Sequence, residues 1–250
     1  MKNYQAKAGF LTGKTILVTG ATDGIGKQAA LTYASYGATV ILSGRNTKKL
    51  EMVYDEIESL GYPQPAFIPL NLQNNTPEQY AQIAEVIENE FGALDGLLLN
   101  ASDLGLLSPI EHFDEETWYR VMQVNVNATF LLTKYCLPLL RNAEQGSIVF
   151  TSSGVGRQGR AYWGAYAVSK FATEGLMQTL ADELEKSDII VNSINPGATR
   201  TKMRANAYPG EDPNSLPTPE DIMPAYLWLM DRAQNSETGQ AINARDFIQN

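Results

Sequence analysis

The sequence has one cysteine, Cys136, and one histidine, His112. A single thiol closes no internal disulfide, which suits a reducing compartment. A single imidazole leaves little from which to build a histidine triad or a multi-histidine metal centre, so no metal is expected. Long apolar runs are missing too. No segment approaches the roughly 18 apolar residues of a membrane span, and the opening MKNYQAKAGFLTGKT lacks the apolar stretch of a signal peptide. Positive charge is in deficit: 19 Lys and Arg stand against 28 Asp and Glu, for a formal net charge of −9. Such a surface repels phosphate backbones, which argues against nucleic acid as a partner. The expectation is a soluble, cytoplasmic protein that works on small molecules without a membrane.

What is present is enough for a core. The chain has 250 residues, 44% of them hydrophobic, which suits one α/β domain over residues 1–250. Short β-branched or apolar runs occur at 15–19, 39–43, 66–70, 94–100, 147–152 and 189–194, with a last one at 239–244. Longer stretches with helical spacing lie between them: Gly26 to Tyr36, Thr47 to Leu60, Pro77 to Phe91, Glu115 to Leu140, Ala165 to Leu184 and Pro219 to Met230. The alternation implies βαβ units, a mainly parallel sheet and helices on both faces. The segment from Thr199 to Pro219 is long and irregular and holds Pro209, Pro213, Pro217 and Pro219. It is read as a substrate lid, with an ordinary surface excursion as the alternative. Cys136 sits in the apolar pattern FLLTKYCLPLL, where a small buried hydrophobe is expected.

The segment TGATDGIG places Gly20, Gly24 and Gly26 straight after the first strand. Glycine there lets a ligand lie against the main chain, and the helix that follows aims free N–H groups and its positive end at the same point. A pyrophosphate is the natural guest, cradled by Gly20, Thr22, Asp23, Gly24, Ile25 and Gly26. A bare tight turn is the plainer reading. The second strand ends in ILSGRNTKK without a carboxylate. An acidic residue there would bind the ribose hydroxyls of NAD, whereas Arg45 can pair with the 2′-phosphate of NADP. Ser43 and Asn46 add hydrogen-bonding groups, so NADP(H) is expected over NAD(H). Asp23, inside the glycine turn, runs against this. A solvated Arg45 is the alternative.

Tyr166 and Lys170 are four residues apart on an expected helix and so share a face. A free phenol, with a pKa near 10, is a poor acid or base at neutral pH. A nearby ammonium lowers that value, as proton exchange with a carbonyl oxygen requires. The Y-x-x-x-K spacing alone is common by chance; Ser153, at the end of the fifth strand, gives it weight as a second group for the same oxygen. Tyr162 also lies nearby, but the residue four further on is Tyr166, which cannot activate it.

Together these segments resemble the short-chain dehydrogenases/reductases over nearly the whole chain. TGATDGIG (19–26) is similar to the family's T-G-x-x-x-G-x-G, LNAS (99–102) to N-N-A-G, VNV (124–126) to the segment with the active-site asparagine, and NPGATRT (195–201) to the P-G segment that lines the nicotinamide. Ser153, Tyr166 and Lys170 match its serine and Y-x-x-x-K. The resemblance implies a Rossmann-type doubly wound parallel sheet of about seven strands in the order 3-2-1-4-5-6-7. It implies Tyr166 as proton donor and acceptor, Lys170 tuning it and holding the nicotinamide ribose, Ser153 fixing the carbonyl, and Asn125 supporting Lys170. It also implies cofactor contacts at Asn71, Leu72, Asn100, Ala101, Ser102, Pro196, Gly197, Thr199 and Thr201.

Departures from the pattern are Leu99 for the first asparagine, Ser102 for the glycine of N-A-G, and Asn71 with Leu72 where the family often has an aspartate for adenine. Substrate is expected between Asp103 to Leu107, Gly154 to Trp163 and the lid, against walls from Val155, Trp163, Met203 and Tyr208. Arg157, Arg160, Arg200 and Arg204 cluster by sequence around these segments. They either select an acidic substrate or serve the cofactor, the surface and subunit contacts. The long helices at 115–140 and 165–184 suggest a homodimer or homotetramer, with core packing as the alternative. The leading function is an NADP(H)-dependent carbonyl reductase or alcohol dehydrogenase. The alternatives are a non-catalytic dinucleotide sensor or scaffold, and a methyltransferase.

Overall fold

The computed structural model describes residues 4–248. Its strands are β1 (Thr15–Thr19), β2 (Thr39–Gly44), β3 (Ala66–Pro69), β4 (Gly96–Leu99), β5 (Gly146–Thr151), β6 (Ile189–Asn195) and β7 (Ala241–Asn243). They form one sheet in the order β3-β2-β1-β4-β5-β6-β7, as expected, and every neighbouring pair is parallel. The helices are α1 (Gly24–Ser35), α2 (Thr47–Ser59), α3 (Pro77–Phe91), α4 (Glu115–Met122), α5 (Ala128–Arg141), α6 (Gly164–Glu183), α7 (Lys202–Ala207) and α8 (Met223–Met230).

Strand side chains alternate between two faces, and both faces are covered, so the strands read as nearly continuous apolar runs. Ile16, Val18, Val40 and Leu42 pack with α1, α2 and α8 through Tyr33, Leu50 and Tyr226. Their neighbours Leu17 and Ile41 point the other way, toward α3, α5 and α6, where Ile87, Cys136 and Met177 are buried. Cys136 is the small core residue its pattern implied, and burial pushes its thiol up to about 12. The crossover direction changes at β1, which pairs with β2 on one side and β4 on the other. In such sheets the crevice at the carboxyl ends of the strands opens at this point.

Two elements differ from the sequence reading. The single helix expected from Glu115 to Leu140 is divided into α4 and α5 by a π-helical turn at Gln123–Asn127. There the Ala128 N–H reaches back to the Gln123 carbonyl, which inserts one residue and rotates the following face. The rotation brings Asn125 inward, where it is buried. The irregular stretch from Thr199 to Pro219 contains α7 and a 3₁₀ turn at Pro213–Ser215. Arg200 ties it together: its backbone N–H donates to the Pro217 carbonyl at 2.8 Å and its Nε to the Pro213 carbonyl at 2.8 Å.

The first β–α turn shows what its glycines do. Gly20 has φ +68, and a Cβ there would lie 3.1 Å from Asn100 Nδ2 and from Ala101 Cα. A Cβ on Gly26 would strike the Gly20 carbonyl and stand 2.6 Å from Asn100 Nδ2. Gly26 is therefore needed for the close packing of α1 on the strand ends, while Gly20 and Gly24 face the crevice. Gly26→Ala is expected to lower the unfolding free energy by about 1–3 kcal/mol, the usual range for overpacking. Urea denaturation reads this directly, and an unchanged midpoint would show that the turn has room to open.

Candidate active site

A cleft of about 1390 Å³ runs along the carboxyl ends of β1, β2, β4, β5 and β6. One end is lined by Gly20, Thr22, Asp23, Gly24 and Ile25 from the glycine turn and by Ser43, Arg45 and Asn46 after β2. Asn71, Leu72, Asn100, Ala101 and Ser102 follow, and Pro196, Gly197, Thr199 and Thr201 close the other side. Several of these side chains also hold the frame. Asn46 Oδ1 caps α2 by accepting from the Lys49 N–H at 3.1 Å. Asn100 Nδ2 donates to the Thr19 carbonyl, and its Oδ1 accepts from the Thr151 hydroxyl, so it spans β1 and β5. Thr201 caps α7. Asp23 Oδ1 accepts from the Gly24 N–H at 2.8 Å, and its other oxygen lies 3.7 Å from Lys49 Nζ. The aspartate is thus turned to a helix N-terminus and a cation, which removes the conflict with a phosphate guest. Lys49, one turn past Arg45, also lines the cleft. The four-residue spacing from Arg45 on an expected helix could have found it. A glycine-edged cradle, a helix N-terminus, two cations beyond β2 and a buried unpaired hydroxyl on Ser102 fit a nicotinamide dinucleotide.

The other half of the cleft holds Ser153, Tyr166 and Lys170. Tyr166 is 8% and Lys170 3% exposed, and Lys170 Nζ lies 5.5 Å from the centre of the Tyr166 ring. The ammonium donates to the Thr151 carbonyl, at the end of β5, at 2.7 Å. Burial pushes the phenol up to about 12, against the pull of the Ser153 and Ser102 hydroxyls. Burial also brings Lys170 down to about 8, while Glu174 works to keep it charged. Burial therefore outweighs the ammonium at the phenol in this cofactor-free state, contrary to the tuning read from the spacing.

Asn125 and Gly26 do not line the cleft. Asn125 Oδ1 accepts from the Asp103 N–H at 2.7 Å, and its Nδ2 donates to the Asp103 carbonyl and to Ser169 Oγ, both at 2.9 Å. Its side chain thus fixes the segment after Ser102 and the residue before Lys170, without a direct bond to the lysine.

Val155, Trp163 and Met203 pack around Tyr166 with Leu104. Trp163 stands between Tyr166 and Tyr208, with ring centres 5.6 and 6.1 Å away. Three of the four arginines expected near the substrate are engaged by the protein. Arg157 Nε donates to Glu174 Oε1 at 2.9 Å, and its other nitrogens reach Asn243 Oδ1 and the Ile242 carbonyl. The second Glu174 oxygen accepts from the Ser193 hydroxyl at 2.6 Å. Arg200 holds the Pro213 carbonyl, and Arg204 makes a forked pair with Glu211 at 2.6 Å while stacking 3.8 Å over the Tyr208 ring. Arg160 lines the cleft mouth. The partner of Arg157 was not legible in the sequence, because Glu174 is on another element and nothing local marks the two as a pair.

The family model for short chain dehydrogenase matches residues 14–212. The uncharacterized oxidoreductase YciK of Escherichia coli K12 is 54% identical over 97% of this chain and 96% of its own length. Among solved structures, a short chain dehydrogenase from Pseudomonas syringae aligns with TM-score 0.94 and 57% identity, covering 98% of this chain and all of that one. Another, from Escherichia coli CFT073 and complexed with NADPH, has TM-score 0.94 and 55% identity, over 96% of this chain and all of that one. These likenesses set the methyltransferase reading aside. The chain belongs to the short-chain dehydrogenase/reductase family and is an NAD(P)-dependent oxidoreductase.

Proposed function

We propose that the enzyme moves a hydride between NADP(H) and a carbonyl or alcohol group, with Tyr166 as proton donor and acceptor. The observation that carries this reading is the buried Tyr166–Lys170 pair, one helical turn apart, in the same cleft as Ser153. A bound nicotinamide supplies or accepts the hydride. The Ser153 and Tyr166 hydroxyls hold the substrate oxygen as charge develops on it. Tyr166 gives that oxygen a proton in reduction and takes it back in oxidation. Lys170 favours the phenolate that reduction leaves behind, and its ammonium suits the ribose hydroxyls of the dinucleotide. Asn125 is a positioning residue, acting through Asp103 and Ser169. A sensor or scaffold has no use for these three side chains gathered in one cleft.

Arg45 and Lys49, with no carboxylate at the end of β2, support NADP(H) over NAD(H). The relative from Escherichia coli CFT073 was solved with NADPH. Apolar walls from Leu104, Val155, Trp163 and Met203 support a carbonyl compound with an apolar body. The segment 199–219 serves as the lid, joined to the site through Tyr208 and Trp163. Phe130 on α5 and Val168 and Phe171 on α6 are exposed, which supports a homodimer or homotetramer built on these helices. The chain is read as one domain, and its lone buried thiol suits the cytoplasm.

Tyr166→Phe should cut turnover about a hundredfold or more and leave NADPH affinity within about threefold, as read by fluorescence titration. Equal turnover in the variant overturns the mechanism. Arg45→Asp should weaken NADPH at least about tenfold, the value of a lost charged hydrogen bond, while NADH binding changes little. Unchanged selectivity would reassign the 2′-phosphate site. In the cofactor-free chain the phenol keeps its proton through neutral pH, and Lys170 loses its charge as pH rises through about 8. The rate of carbonyl reduction should therefore be level below about pH 8 and fall above it; a profile level to about pH 10 would remove Lys170 from the mechanism.

A further inference from the structure

Two hydroxyls that line the cleft, those of Ser102 and Ser152, are buried and have no hydrogen-bond partner among the described residues. A buried donor left unpaired is costly, so such a group implies a partner that appears in another state of the site. Of the two, Ser102 is the one whose hydroxyl reaches toward the Tyr166 phenol.

Ser102 is also held from both sides. The N–H groups of Asn100 and Ala101 donate to the Thr19 hydroxyl at 2.9 and 3.0 Å. On the other side, the N–H and carbonyl of Asp103 are both bonded to the Asn125 side chain, at 2.7 and 2.9 Å. Asp103 is further fixed by Arg120, whose Nε donates to its carboxylate at 2.9 Å. Five hydrogen bonds therefore pin the two residues before Ser102 and the one after it. A hydroxyl presented on such a frame can wait unpaired at a set position. The family pattern has glycine here, so the hydroxyl belongs to this chain's own version of the site.

We propose that Ser102 is a catalytic hydroxyl, whose O–H donates to Tyr166 Oη once the phenol has given up its proton. This rests on the proposed role of Tyr166. In reduction the proton passes from Tyr166 Oη to the substrate oxygen while the hydride reaches the carbonyl carbon, and the electron pair of the O–H bond stays on Oη. Ser102 Oγ–H then bonds the new phenolate. The phenolate later regains its proton from solvent and the serine hydroxyl is released. A donor unpaired before the step and paired after it stabilises the charged side selectively, which lowers the barrier rather than merely tightening binding. With Lys170 and Ser153 it completes a set of three groups around one oxygen.

The test compares Ser102→Ala, Ser102→Thr and Ser102→Gly with the parent enzyme, saturated with NADPH, on one carbonyl substrate. Ser102→Ala and Ser102→Gly should each lose about tenfold in kcat, the lower range for one oriented donor. NADPH affinity should stay within about threefold, and Ser102→Thr, which keeps a hydroxyl, should recover most of the rate. An unchanged kcat in folded Ser102→Ala and Ser102→Gly overturns the proposal. So does weakened NADPH binding with kcat intact at saturation, which would make the hydroxyl a cofactor contact. Should alanine prevent folding, the glycine variant decides, since the family's backbone accommodates that residue. Tyr166→Phe separates the two readings: an active Tyr166→Phe removes the role of Tyr166, whereas an inactive one beside a fully active Ser102→Ala removes only that of Ser102.

Discussion

The active half of this cleft depends on a buried ammonium. Lys170 is almost completely enclosed, and a cation in such a place must be paired or lose its proton. The Thr151 carbonyl, at the last residue of β5, accepts from it at 2.7 Å. That bond sets the height of α6 on the sheet, and with it the positions of Tyr166 one turn before and Glu174 one turn after. Ser153 leaves the sheet two residues past the same carbonyl, so phenol, ammonium and hydroxyl converge from one anchor. The enclosure that holds them also raises the phenol and lowers the ammonium toward neutral pH.

Charge in this chain is used locally, against its overall sign. A protein with formal net charge −9 places Arg45, Lys49, Arg160 and Lys202 along its cleft, where field lines of one sign gather a dianionic cofactor. Other cations are spent inside. The Arg157–Glu174 pair is largely buried, and such pairs seldom add much net stability, because desolvation offsets attraction. What this one does is geometric. It joins the loop after Ser153, the middle of α6, the Ser193 hydroxyl on β6 and the β7 edge, so the two elements that carry the reacting groups cannot drift apart.

Much of the frame was legible because its signals are local. Apolar runs of strand length, separated by helical spacing, follow from side-chain periods of 2 and 3.6, and a sheet covered on both faces keeps those runs continuous. The Gly20–Gly26 turn and the Tyr166–Lys170 interval are likewise short-range patterns. The division between α4 and α5 was not legible. A π turn adds one residue without a marker in composition, and the sequence through Gln123–Asn127 continues a helical pattern. The short α7 was hidden by prolines that flank it in the chain but not in the helix.

The sequence by itself determined the alternation of strands and helices, the parallel sheet, and the placing of glycines, tyrosine and lysine at intervals that chemistry can use. These properties depend on neighbours a few residues apart. Only the tertiary structure decided that Gly26 makes room for protein rather than ligand, and that Arg157, Arg200 and Arg204 are spoken for. It also decided that Asn125 clasps Asp103, and that a serine in place of glycine leaves an unpaired hydroxyl beside the phenol. Each of those outcomes turns on burial and on a partner brought in by packing, and a hydrogen bond or a desolvated charge exists only once the chain has closed around it.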